Sequence, residues 1–270
     1  MDEQASEAAR LAAQGIVRVR ADNAGPLTLS GTNTWLLGRD PTWIVDPGPA
    51  LDGHVRRLLD QIARRGGLGG VALTHDHADH SGALPALLAS HPAPLAAARG
   101  QADVRLADGV RFGPFQAFST PGHARDHVAL IAGDACFTGD AVLGEGSVFV
   151  APYRGALAAY LDALARLAAR GGLSVLCPGH GPPVWDAAGK LAEIIDHRMD
   201  RERALLAALR DGLRDEEELL DAAWADVPPE LRPLAAVTLA AHLDKLAGEE
   251  RLPAGVPRPR LERFAGQVDR

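Results

Sequence analysis

Cysteine and aromatic residues are scarce in this 270-residue chain. Its two cysteines, Cys136 and Cys177, exclude a disulfide framework, and there is no C-x-x-C pair. Aromatics make up 4%, so alanine and leucine carry most of the apolar load. No run approaches the roughly 18 to 20 apolar residues of a membrane-spanning helix. The opening "MDEQASEAARLAAQ" lacks the charged-then-apolar pattern of a signal peptide. The expectation is a cytoplasmic protein with no membrane partner. Basic residues are outnumbered, 28 Lys plus Arg against 35 Asp plus Glu, for a net charge of -7. That balance gives no general attraction to nucleic acid. What remains, 47% hydrophobic and 23% charged, is ordinary globular composition. The length suits one large domain with an appendage, or two modest domains.

Residues 1–15 read as a frayed or helical N-terminal extension. Short strands follow in "IVRVR", "TNTWLLG" and "TWIVD", with Trp35, Leu36, Leu37, Ile44 and Val45 as core positions. "ALDGHVRRLLDQIARR" has helical periodicity, with Val55, Leu58, Leu59 and Ile62 on one face. Further strands and helices alternate to about Val184. Strands in two runs, each followed by helices, predict a two-sheet core with helices outside. Beyond that the chain turns helical and more charged. Asp215 and Glu218 read as a capping box opening a helix. The expected domains are 16–190 and a helical 191–270.

Three histidines and two aspartates fill His75 to His80, in a chain with ten histidines. They follow the apolar strand "VALT", so they sit at a strand end where side chains can converge. Imidazole nitrogen and carboxylate oxygen suit zinc, iron or manganese, with zinc bonds of about 2.0 to 2.2 Å. His75 and His77, two apart, can point at one ion from an extended loop. Asp79 and His80 diverge and suit a second. Three more candidate ligands each end a predicted strand beside a glycine: His123 in "TPGH", Asp140 in "FTGD" and His180 in "PGHG". Glycine lets the backbone turn sharply and approach the ions.

"THDHADH", "TPGH", "FTGD" and "PGHG", in that order, resemble the motif set of the metallo-beta-lactamase superfamily, and "WIVDPGP" resembles its first motif. The likeness spans roughly residues 16 to 185. It implies an α/β fold, the αββα sandwich, with metals at one edge. It also implies two divalent metal ions, zinc first with iron or manganese as alternatives. His75, His77 and His123 would hold one ion and Asp79, His80 and His180 the other, with Asp140 bridging. Asp46 would support the ligands from behind, and Asp76 would not be a ligand. A water shared by ions about 3.5 to 4 Å apart becomes hydroxide near neutral pH and serves as nucleophile. A protonated leaving group could draw on Asp79 or on metal-bound water. A site without cysteine argues against the cysteine-liganded beta-lactamases, and Cys177 reads as a core residue.

His127 could orient a ligand or simply start a strand. His54, His91 and His242 are expected on the surface or on helices. Arg198 and Arg201, three apart, could hold a substrate anion, or pair with Asp196, Asp200 or Glu202. The C-terminal segment resembles the lactamase-beta-2-like branch, whose members carry a compact winged-helix-like domain and are linked to single-stranded RNA cleavage. The metal motifs equally resemble glyoxalase II, a thioesterase on S-acyl glutathione. From Leu191 to Arg270 there are 12 Lys plus Arg against 17 Asp plus Glu, a net of -5. A phosphate-binding module should be basic, so duplex DNA is not expected as a partner. The first expectation is a metal-dependent hydrolase of a small-molecule ester or thioester. The alternative is an endoribonuclease on single-stranded RNA. Self-association into a homodimer is a further expectation.

Overall fold

The computed structural model describes residues 3–264. They divide into two compact units. The first comprises, among the described residues, 3–120, 126–146 and 172–187. Its strands β1 (Ile16–Arg20), β2 (Asn33–Leu37), β3 (Thr42–Val45), β4 (Leu68–Ala72), β5 (Leu95–Ala97) and β6 (Val104–Arg105) form one sheet in that order. The pairs from β3 to β6 are parallel. A second sheet runs β11 (Val175–Pro178), β10 (Ala135–Gly139), β9 (Val128–Ala132), β8 (Phe115–Ser119), β7 (Arg111–Phe112). Only its β10–β11 pair is parallel.

The period-2 alternation of side chains sets the layers. Trp35, Val45 and Ala72 share a buried cluster with Phe115, Leu130, Phe137 and Cys177 of the other sheet. Their strand neighbours Leu36, Ile44 and Val71 join Leu58, Ile62 and Leu87 in a separate cluster. These last three belong to helices α2 (Asp52–Arg64) and α4 (Leu84–Ser90), which cover the first sheet's outer face. The few aromatics concentrate between the sheets: Phe137 meets Trp35 at 6.2 Å and Phe115 at 5.6 Å, both edge-on. Burying each large apolar side chain contributes about 1.5 to 3 kcal/mol. The N-terminal segment forms α1 (Glu3–Ala13), and its Leu11 is buried in the inter-sheet cluster.

The second unit comprises, among the described residues, 121–125, 147–171 and 188–264. It therefore takes in α5 (Ala156–Arg170), which the sequence boundary at 190 left with the first domain. Helix α6 (Ala187–Arg210), α7 (Glu216–Ala223) and α8 (Arg232–Gly248) supply its core, including Leu205, Leu220, Trp224 and Val237. Asp215 caps α7, accepting from the backbone N–H groups of Glu217 and Glu218. Inside this unit Glu202 accepts from Lys245 and Arg251, each at 2.7 Å.

Two histidines expected on the surface or on helices are on helices and fully buried. His54 on α2 has Nε2 3.0 Å from both Thr34 Oγ1 and the Pro47 carbonyl. His242 on α8 lies beside Trp224, with Nδ1 3.8 Å from Glu202. His91, just past α4, is half-buried. No helix among the described residues is long and apolar enough to cross a membrane.

Candidate metal centre

Parallel strands deliver the loops that follow them to the same sheet edge. Asp46 follows β3, and the histidine cluster follows its parallel neighbour β4. Asp140 follows β10, and His180 follows its parallel neighbour β11. Within the cluster, Ala78–Ser81 forms the single helical turn α3, which carries Asp79 and His80 and leaves the His80 ring 4.2 Å from that of His75.

The first unit gathers four candidate ligands tightly. His80 Nε2 lies 3.4 Å from His180 Nε2 and 3.5 Å from both Asp79 Oδ2 and Asp140 Oδ1. His180 Nε2 lies 3.3 Å from Asp79 Oδ2 and from Asp140 Oδ2. Asp79, His80 and His180 each aim one ligand atom at a common point. His75 Nε2 and His77 Nδ1 sit 3.0 Å apart. Gly179 permits the approach: a Cβ there would strike Asp140 Oδ1 and lie 2.6 Å from His80 Cε1.

One buried carboxylate sets the chemistry of two of these imidazoles. Asp46 accepts the Thr74 amide at Oδ1 and the Thr74 hydroxyl at Oδ2, both at 2.7 Å. Its Oδ2 also accepts His80 Nδ1–H at 2.9 Å. The Thr74 hydroxyl has given its proton to Asp46, so it accepts from His75 Nδ1–H at 2.9 Å. Nδ1 of both rings is thereby committed as a donor, which leaves Nε2 as the nitrogen available to ligate. A partner on the far nitrogen is what fixes a ligating imidazole. His127 is buried, and its Nε2 accepts the Asp140 N–H at 3.1 Å while Nδ1–H donates to Thr120 Oγ1 at 2.8 Å.

The charges are coupled as tightly. Burial opposes ionisation of all four groups, but their mutual attraction prevails. Asp140 is held well below the usual carboxylate range by the charge of His80 and the His180 hydrogen bond. His80 is pushed well above its ordinary value by Asp140 and Asp46, and His180 rises to about 9. Two imidazoles, each within 3.5 Å of both carboxylates, with Nδ1 of His80 already committed, fit a divalent cation of nitrogen and oxygen preference.

Asp76, Cys177, Arg198 and Arg201 are not among the groups of described residues that could hold an ion. Asp76 is exposed, with Oδ2 3.9 Å from Arg99 Nε. Cys177 is buried in β11, and burial pushes its thiol well up. His123 follows β8 and belongs to the second unit, where Nδ1–H donates to the Phe149 carbonyl at 3.0 Å. Arg201 is spent on Asp226, at 2.6 and 2.7 Å. Arg198 is buried against Ser147 and Val148. The pairings expected for them with Asp196, Asp200 or Glu202 are absent among the described residues. Sequence reasoning missed Thr74, whose signal is its place directly before His75. It also missed Thr32, whose Oγ1 accepts from Asn23 and donates to Asp79 Oδ2 at 3.2 Å.

A profile of the metallo-beta-lactamase superfamily matches residues 27–116. The lactamase-like protein aptB of Emericella nidulans is 32% identical over 262 residues, covering 88% of this chain and 82% of its own. The chain belongs to the metallo-beta-lactamase superfamily. Residues 216–252 match the beta-lactamase associated winged helix domain. An atrochrysone carboxyl ACP thioesterase of Aspergillus chevalieri is 35% identical, covering 73% of this chain and 66% of its own. Among solved structures, a beta-lactamase domain protein from Burkholderia ambifaria superposes with TM-score 0.73 at 20% identity, covering 87% of this chain and 86% of that one. TTHA1623, solved in a di-iron-bound form, is 28% identical with TM-score 0.52, covering 66% of this chain and 98% of its own. This superfamily member is a metal-dependent hydrolase of mixed α/β metallo-beta-lactamase fold, with a winged helix domain towards its C-terminus.

Proposed function

We propose that the chain hydrolyses an acyl thioester, with two divalent ions, zinc, iron or manganese, at the edge where Asp79, His80, Asp140 and His180 converge. The observation that carries this is the pair of imidazoles, His75 and His80, locked by one carboxylate with Nε2 ready to ligate. His75 and His77 would hold the first ion, with His123 as the third ligand that the family resemblance implies. Asp79, His80 and His180 would hold the second, and Asp140 would bridge. The di-iron form of TTHA1623 supports two ions. Bound ions of this kind supply Lewis acidity and a water made nucleophilic at neutral pH.

The chain's own residues favour a leaving group that needs no proton. Burial raises the Asp79 carboxyl, but the His180 hydrogen bond and the His80 charge bring it down to about 2. Thr32 donates to the same oxygen. Asp79 is therefore ionised at neutral pH and serves as an acceptor, not as an acid. A thiolate, whose conjugate acid has a pKa of about 8.5, departs without help. An alkoxide from a phosphodiester does not. The relative named as an ACP thioesterase points the same way. No relative above supports single-stranded RNA as substrate or a homodimer, and the tail is acidic.

The test is metal-loaded protein against S-acyl pantetheine, S-acyl glutathione and single-stranded RNA in parallel, with Asp140→Ala as control. Turnover of either thioester, lost in the variant, is the expected result. RNA cleavage without thioester turnover would refute it.

A further inference from the structure

Arg198 is a buried charge with no counter-ion. It is 2% exposed, and a guanidinium does not shed its proton inside a protein. The carboxylates of its surroundings are committed elsewhere: Asp200 to Arg203, Glu202 to Lys245 and Arg251, Asp226 to Arg201. None pairs with Arg198 among the described residues, and its Nε has no hydrogen-bond partner. A single buried charge is costly when nothing neutralises it. What Arg198 does hold is backbone and hydroxyl: Nη2 donates to Ser147 Oγ at 3.1 Å and to the Val148 carbonyl.

The segment it grips is the one that cradles His123. The next carbonyl, Phe149, accepts His123 Nδ1–H at 3.0 Å. Two residues on, the Ala151 amide donates to Gly122, the residue before His123, at 2.9 Å. Gly122 has φ +144, and a Cβ there would meet Tyr160 Cβ at 2.5 Å. Tyr160, from α5, is fully buried and presents its ring 6.0 Å from the Arg198 guanidinium. Helices α5 and α6 therefore close on one short strap, residues 147–151, all within the second unit. Arg198 fixes the strap's first end, and the Ala151–Gly122 bond fixes its second.

We infer that Arg198 is a positioning residue for the first metal ion: by clamping Ser147 and Val148 it sets the Phe149 carbonyl that holds His123 with its lone pair on Nε2. This replaces the expectation of a substrate-binding role, and it rests on the reading of His123 as a ligand. Without the clamp the carbonyl shifts, the ring turns or changes tautomer, and the first ion is lost before the second.

The experiment titrates the metal-free full chain with Zn2+ against a chromophoric chelator, resolving the two affinities, with circular dichroism and thermal melts alongside. The proteins are wild type, Arg198→Met, Arg198→Lys, Ser147→Ala and His123→Ala. Leu205→Ala serves as a control that loosens the same unit's core, against which Phe149 also packs, without removing any of the strap's hydrogen bonds. Arg198→Met should weaken the tighter dependence on His123, the first ion, by about tenfold or more while the second ion keeps its affinity. Lysine, which retains a donor, should restore part of that loss. Leu205→Ala should lower the melting temperature without separating the two ions. Should Arg198→Met fail to fold, Ser147→Ala carries the test with a smaller loss of the same ion. Wild-type affinity for both ions in Arg198→Met, or in Ser147→Ala where it stands in, overturns the inference while His123→Ala loses one ion. Unchanged binding in His123→Ala overturns instead the reading on which it rests.

Discussion

Replacing Asp46 with asparagine changes almost no volume and should disable ligands of both ions at once. The carboxylate accepts three hydrogen bonds, from the Thr74 amide, the Thr74 hydroxyl and His80 Nδ1, and is 1% exposed. An asparagine can keep the first through its oxygen. Its NH2 then faces the other two, where it must donate. His80 Nδ1 becomes an acceptor, so its proton moves to Nε2, the ligating nitrogen. The Thr74 hydroxyl, no longer able to give its proton to residue 46, turns it toward His75 Nδ1, and His75 takes the same wrong tautomer. Loss of one such supporting partner costs roughly 10- to 100-fold in metal affinity, about 1.4 to 2.7 kcal/mol. The loss is expected at each ion. Zinc competition against a chelator at pH 7 measures it, and a thermal melt of the metal-free protein separates it from unfolding. Wild-type affinity for both ions in Asp46→Asn would refute the tautomer argument outright.

Two further outcomes follow from the geometry. Gly179→Ala places a methyl against Asp140 and His80, and thioester turnover should fall by at least about 100-fold; steady-state kinetics with near wild-type turnover would contradict it. His242 is buried neutral, and burial, outweighing the pull of Glu202, lowers its pKa to about 4. A depressed folded value means stability is fully present above the unfolded pKa of about 6.5 and is lost as pH falls toward 4. Between pH 7.5 and pH 5 that amounts to about 2 kcal/mol. Glu202, at about 2, titrates lower. Urea unfolding of metal-free wild type and His242→Phe at both pH values should show the wild type losing that much more than the variant, and parallel losses would refute it.

Much of the site was legible in the sequence because its ligands are side chains with rare chemistry at strand ends. His80, Asp140 and His180, each from a different motif, lie within 3.5 Å of one another. The two-sheet core was legible too, from strands in two runs each followed by helices, and the neighbours Trp35 and Leu36 are buried in the clusters on opposite faces of the first sheet. What stayed hidden acts through backbone or through burial. The Phe149 carbonyl that holds His123 has no residue signature, as every residue has a carbonyl. Thr74 is an unremarked threonine until Asp46 is seen across the parallel pair β3–β4. His54, His242 and Arg198 carry polar side chains whose burial depends on partners distant in sequence. The place of α5 was hidden for a related reason: it lies between β10 and β11 in sequence but falls in one compact unit with the C-terminal helices.

The number of ions the chain holds, and the residues that hold them, can be counted directly. Elemental analysis of zinc-reconstituted, dialysed protein should give two ions per chain in wild type and about one in His77→Ala and in His180→Ala, with thioester turnover lost in both variants. One ion or none in wild type, or two retained in either variant, would contradict it.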